Sequence, residues 1–307
     1  MMRSRGVLVA VVLLVLAAGG YVFQLVQASR QESAAIRQLV ADVAAEVAKP
    51  GPDSSELSAL ATRIRKVENH EAIRELRVAL ARIDIARGRE DQALRELEPL
   101  VLLGDGTGEE LQLTAWCLLR SQQRGGDLGK ARKALDSAEA AYARSSDPVD
   151  LRLALQAAIR LQDDAAKARV ADLLVTRHGD TRDGRFARLV RDFTDATPPG
   201  EVAGVLAEFE RPPEELALLQ VVQELQSGRP AEALRLLDPL LLAAPALLDV
   251  RNFAAYAYHL LAAAPGTRPA EQASFLVQRD AHLDWLLQTA PPEDARRKVW
   301  AEMRAVR

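Results

Sequence analysis

A chain of 307 residues can bury a substantial core, and its 40 basic and 43 acidic side chains nearly cancel, to a formal charge of −3. With an isoelectric point near 5.9 there is no overall field to draw in nucleic acid, so no DNA or RNA partner is expected. Ala, Leu, Arg and Glu dominate and aromatics are 4%, which favours an all-helical protein, and a single cysteine excludes an internal disulfide and any multi-cysteine metal site.

In chain order, Arg3 and Arg5 precede an apolar run from Gly6 to Phe23 that continues through Leu25 and Val26 past Gln24. A helix needs about 20 such residues to cross a bilayer, so residues 1–28 read as a short tail and a transmembrane helix. The small residues Ala17-Ala18-Gly19 also suit a cleaved signal peptide, against which stand the bulky Tyr21, Val22 and Phe23. No cysteine ends the run, so a lipoprotein anchor is not expected. Basic residues ahead of the span keep the tail in the cytoplasm, and either reading sends the body to the extracytoplasmic (periplasmic) face of a bacterial cytoplasmic membrane, or out of the cell after cleavage.

Residues 29–54 then read as an amphipathic linker helix, with Ile36, Leu39, Val40, Val43 and Val47 at spacings of three and four, stopped by Lys49-Pro50-Gly51-Pro52. Asp53 with Glu56 looks like a capping box opening the next helix, which carries Leu57, Leu60, Ile64 and Val67 and begins the globular body, 55–307.

Within that body the stretch RGREDQALRELEPLV, from Arg87, returns as SGRPAEALRLLDPLL, from Ser227. Gly88 and Gly228 stand four steps of about 35 residues apart, a spacing that belongs to helix-turn-helix arrays. Worn copies fill the gap: Gly126 and Ala131 stand where Gly88 and Ala93 stood, and Asp163 and Ala168 do so again. After the second clear copy, Arg268-Pro-Ala-Glu repeats Arg229-Pro-Ala-Glu. Glycine gives the turn its backbone freedom, alanine lets two helices approach, and proline ends a helix.

This pattern resembles the tetratricopeptide repeat family, whose inter-helix turn carries a glycine, an alanine five residues later and a proline twelve beyond that. Gly228, Ala233 and Pro245 match all three; Gly88 with Ala93, and Gly126 with Ala131, match two. The small and aromatic positions of the first helix in each pair are not kept, so the repeats are degenerate over about residues 70 to 290. The resemblance implies a right-handed superhelical solenoid of antiparallel helix pairs, here at about 70–87 with 90–103, 109–123 with 128–143, 149–162 with 165–178, 213–227 with 230–243, and 247–263 with 269–289. Residues 180–212 fit least well and read as an eroded pair or a hinge. The last residues read as a capping helix docked by Val299, Trp300 and Met303.

No residue pattern points to chemistry. Cys117 beside Trp116 reads as a buried structural thiol. His70, His178, His259 and His282 lie far apart, without the spacing that puts two ligands on one helical face. GDGTG at Gly104 lacks a following Gly-Lys-Ser/Thr, and the HGDTRDG acids do not space like a calcium loop, so both read as turns. Glu109-Glu110, Asp163-Asp164 and Glu214-Glu215 sit near helix starts, where acids complement the dipole. No cofactor, metal or enzyme activity is expected. In the resembled family the concave face, lined by first helices, takes extended peptides or partner helices. On that register Arg82 and Arg120 project into it, with Arg160 about one turn further along, to clamp a carboxylate or acidic segment of a protein partner. The layout is that of a tethered scaffold near secretion or envelope-assembly machinery; the alternative is a small-ligand or catalytic module with its pocket at the 180–212 irregularity.

Overall fold

The computed structural model describes residues 27, 30–102 and 104–306; the apolar N-terminal run lies outside them, and no helix among the described residues is long and apolar enough to cross a membrane. The described residues are helical throughout, with no strand. The chain divides into two compact units, Met1–Leu97 and Glu98–Arg307.

In the first unit lie α1 (30–47), α2 (Ser54–Arg65), a 3-10 turn (His70–Ala72), α3 (Arg74–Ala86) and the first two turns of α4 (Glu90–Val101). The predicted period of three and four is a packing face. Leu39 and Val43 of α1 are buried with Leu57, Leu60 and Ile64 of α2 and Leu76, Leu80 and Ile83 of α3 in one core. Residues 30–47 are therefore part of the folded body, not a linker, because their apolar face has two helices to meet. Asp53 caps α2 through the Ser55 N–H, but the reciprocal half of the box comes from α1, where Glu46 Oε1 accepts from the Asp53 N–H at 3.0 Å. Helix α3 starts at Arg74 rather than 70, since Asn69 takes left-handed backbone (φ 55°) and turns the chain first.

The repeated LEPLV and LDPLL set Pro99 inside α4 and Pro239 inside α12 (Pro230–Ala243). Proline has no N–H for the carbonyl four residues back. In α4 that carbonyl belongs to Arg95, and Arg77 of α3 supplies the missing donor, Nη2 to O at 3.1 Å, while its Nε lies 3.3 Å from Glu96.

The second unit continues with α5 (Gly108–Gly125), α6 (Leu128–Ser145), α7 (Pro148–Leu161), α8 (Asp164–His178), α9 (Arg182–Asp192), α10 (Pro199–Ala207), α11 (Glu214–Gln226), α12, α13 (Leu248–Ala263), α14 (Pro269–Thr289) and α15 (Arg297–Ala305). Helices α5–α6, α7–α8, α11–α12 and α13–α14 are adjacent pairs, and first helices of neighbouring pairs also touch, α5 with α7 and α11 with α13. That is the stacking of a helical-repeat array.

The repeat is written in the turn. Gly88, Gly126 and Gly228 all have positive φ, 67°, 72° and 70°, where a Cβ is strained. After two of them the next N–H reaches back five residues, Arg89 N to Asp84 O at 2.8 Å and Arg229 N to Glu224 O at 2.9 Å, a Schellman end that uses up an orphan helix carbonyl. Five residues past each glycine a small side chain enters the core: Ala93, Ala131 and Ala233 are fully buried. Pro245 stands just past the Ala244 cap of α12.

The third copy differs from its reading. The left-handed residue between α7 and α8 is Gln162 (φ 54°), and Asp163 is the cap, its N–H bonded to Ala158 O at 3.0 Å and its carboxylate to the Ala166 N–H. The buried face is then Ala166, Val170, Ala171 and Leu174, and Ala168 faces solvent. Gln162, not Asp163, occupies the glycine's place, because the side chain that caps α8 stands one residue beyond the turn.

Residues 180–212 hold two short helices, α9 and α10, that pack on their neighbours. Phe186 and Ala187 of α9 and Val202 of α10 are fully buried, α9 packs on α7 and α8, and α10 on α11. The approach is close at Gly184, where a Cβ would stand 2.0 Å from His178 O. At the end, Trp300 docks α15 with its Nε1 on Asn252 Oδ1 at 2.7 Å and Met303 beside it, whereas Val299 is exposed. One residue before Trp300, a helix side chain points about 100° away from the docked face.

Candidate binding site between α5, α7 and the start of α11

Two of the predicted groove arginines meet. Arg120 projects from α5 and Arg160 from α7, and both turn toward Glu214 and Glu215, the first two residues of α11. Pro213 starts α11 without a side-chain cap, so acids at its first positions lie against unsatisfied N–H groups. Beyond that local reason for Glu214-Glu215, the fold gives them guanidinium partners 55 and 94 residues earlier in the chain.

The inner pair is closed. Arg160, 3% exposed, donates from Nε to Glu215 Oε1 at 2.8 Å and from Nη1 to Leu119 O at 2.9 Å, and its Nη2 stands 3.5 Å from Glu214 Oε2. Gln156 Nε2 fills the other Glu215 oxygen at 2.7 Å. Arg160 is thus a brace among α5, α7 and α11, and its donors are spent inside the molecule. A buried pair of this kind tolerates desolvation only when its remaining donors and acceptors are hydrogen-bonded, as here.

The outer pair is open. Arg120 gives Nη1 to Glu214 Oε1 at 2.9 Å and to Gln123 Oε1 at 3.0 Å, and its guanidinium lies 5.7 Å from the Trp116 ring centre. Its Nε is buried with no hydrogen-bond partner. A cavity of about 130 Å³ adjoins it, bordered by Trp116, Arg120, Arg152, Gln156, Arg211 and Pro212 among others. Arg152 is held by Asp183 with Nε 2.7 Å from Oδ1, at an angle too poor for a hydrogen bond. Arg211 is exposed and makes no hydrogen bond or ion pair among the described residues. Arg82 is half-buried on α3, in the first unit, and is not one of this group.

Neither Arg152 nor Arg211 stands out in the sequence. Arg152 follows the buried Asp150 on α7, and Arg211 sits in the ERPPEE stretch before α11. The turn between α12 and α13 closes the same region, Ala246 N donating to Gln123 O at 3.0 Å.

The histidines serve separate contacts. His178 meets the Tyr142 hydroxyl at 3.1 Å, His259 lies 3.4 Å from Arg279, and His282 stacks on Tyr258 with Nδ1 3.4 Å from Arg251. Burial, reinforced by Arg251, lowers His282 to a pKa of about 4. Cys117 is buried.

No protein-family model matches the chain, and no curated protein matches it. Among solved structures it is similar to one described as the human IFIT1 dimer with PPP-AAAA, at 14% identity and a TM-score of 0.46, over 87% of this chain and 67% of that one.

Proposed function

We propose that the protein is a noncatalytic helical-repeat scaffold, tethered by its N-terminal apolar segment with the body on the extracytoplasmic side, that holds a protein partner through an acidic segment seated at Arg120 and Arg211. The observation that carries this reading is that two guanidiniums with donors to spare border one cavity: Arg120 Nε is buried without a partner and Arg211 has none among the described residues, while Trp116 gives an apolar flank. Guanidinium forks match carboxylates and stay protonated at any working pH, so the site is built to hold charge and not to move protons. At about 130 Å³ the cavity suits a single side-chain group and falls short of the roughly 300–1,000 Å³ that a small-molecule site occupies. A tether would raise the effective concentration of a weak partner in the same membrane.

The test is capture from a membrane and envelope extract by the immobilised full chain, with Arg211→Glu alongside. A protein retained by the parent and lost by Arg211→Glu is expected. Recovery of the same proteins by both would sink the reading, as would metabolites raising the melting temperature while no protein is retained.

A further inference from the structure

We infer that the end of the α1–α2 pair nearest the N-terminal segment is a seat for anionic phospholipid headgroups. The inference deepens the tether proposed above and rests on it. The described part of α1 starts at residue 30, with residues 27–29 between it and the apolar run that ends at Val26. The tether proposed above therefore puts this end of α1 on the bilayer side.

Antiparallel pairing sets the end of α2 beside residues 35–42 of α1, about 8–18 Å along that helix from residue 30. Near the far end Asp53 N meets Glu46, and further along Arg63 reaches Asp42 at 3.3 Å. Toward the near end Glu32, Ala35, Ile36, Arg63, Lys66 and Val67, among others, border an open cleft of about 360 Å³, so one carboxylate stands on it beside two cations. Five cations gather on this end, Arg30, Arg37, Arg63, Arg65 and Lys66, and all are exposed. Arg63 has only its long contact to the half-buried Asp42, and the other four make no hydrogen bond or ion pair among the described residues. The acids nearby in the sequence are Glu32, Asp42 and Glu68, so this end is positive in a chain whose total charge is −3. Unpaired cations beside a bilayer and flanking a cleft with apolar walls match phosphate groups above acyl chains.

The test uses the full chain reconstituted into phosphatidylcholine vesicles with or without 30% phosphatidylglycerol, carrying a fluorophore at Ala35→Cys or, as the remote control, Ala48→Cys; native Cys117 is buried. A nitroxide on the lipid headgroup should quench the Ala35 probe in phosphatidylglycerol vesicles, less in 0.5 M salt, and leave the Ala48 probe bright. Replacing Arg63, Arg65 and Lys66 by glutamine should lower the docked-to-undocked ratio by about fivefold per cation, and exchanging arginine with lysine at the same sites should retain it. Circular dichroism keeps the glutamine variant interpretable. Quenching that ignores phosphatidylglycerol, salt and the three cations overturns the inference while leaving the tether intact. A chain that does not float with either vesicle overturns the tether itself.

Discussion

The arginines of the two units live by opposite rules. In the second unit Arg160 is buried against Glu215, Arg152 faces Asp183 and Arg296 bridges Asp249 and Asp294, so cations there close the structure. At the near end of α1–α2 the cations stay in water, Arg63 reaching Asp42 at 3.3 Å and Arg65 acting on Asp84 through its charge alone. The difference is whether another helix starts with an acid opposite. A guanidinium facing solvent in one helix pair becomes a brace when another helix N-terminus is stacked on it, and the same side chain without such a neighbour remains available to something outside.

The largest effect that sharpens this contrast is expected at Arg160. Arg160→Ala leaves Glu215 buried beside Gln156 alone and should cost about 3–5 kcal/mol of unfolding free energy, measured by denaturant titration. A loss near zero would mean that the inner pair holds nothing together.

Next comes acid. His282 is 8% exposed and its pKa is lowered from 6.5 to about 4, so the folded form resists the proton that the unfolded chain accepts. Stability it contributes is whole above about pH 6.5 and lost as pH falls toward 4, up to about 3 kcal/mol. His282→Gln should flatten the melting temperature over that window; an unchanged slope would show that another group sets it.

Third, Ala233→Leu should destabilise by about 1–3 kcal/mol through overpacking, and Ala168→Leu should stay within about 0.5 kcal/mol. Equal costs would refute the register in which α8 turns Ala166 inward. Smallest of all, Lys66→Gln should leave the unfolding midpoint unmoved, because the exposed Lys66 makes no hydrogen bond or ion pair among the described residues. A clear loss would place this cation with the braces.

The pairs were legible because their signals are local. A glycine in left-handed backbone followed by a buried alanine needs only the neighbouring helix to explain it, and the predicted boundaries fall within a few residues of α3 to α8 and α11 to α14. What misled was local too: Asp163 looks like a turn residue and is a cap, and α1 looks like a linker until α2 and α3 cover Leu39 and Val43. Of the binding site, Arg120 was legible as an arginine on a first helix, but Arg211 and the unpaired Arg120 Nε carry no periodic signal, since they are fixed by where α11 begins.

The sequence by itself determined that the chain is helical, where its paired helices turn, and which small side chains allow three of those turns to pack, because propensity, glycine backbone and spacing act over a few residues. Only the tertiary structure decided which arginine is spent and which is open. That choice depends on Glu214 and Glu215 arriving from far along the chain, and desolvation makes the difference between a buried, fully bonded guanidinium and one left at the edge of a cavity.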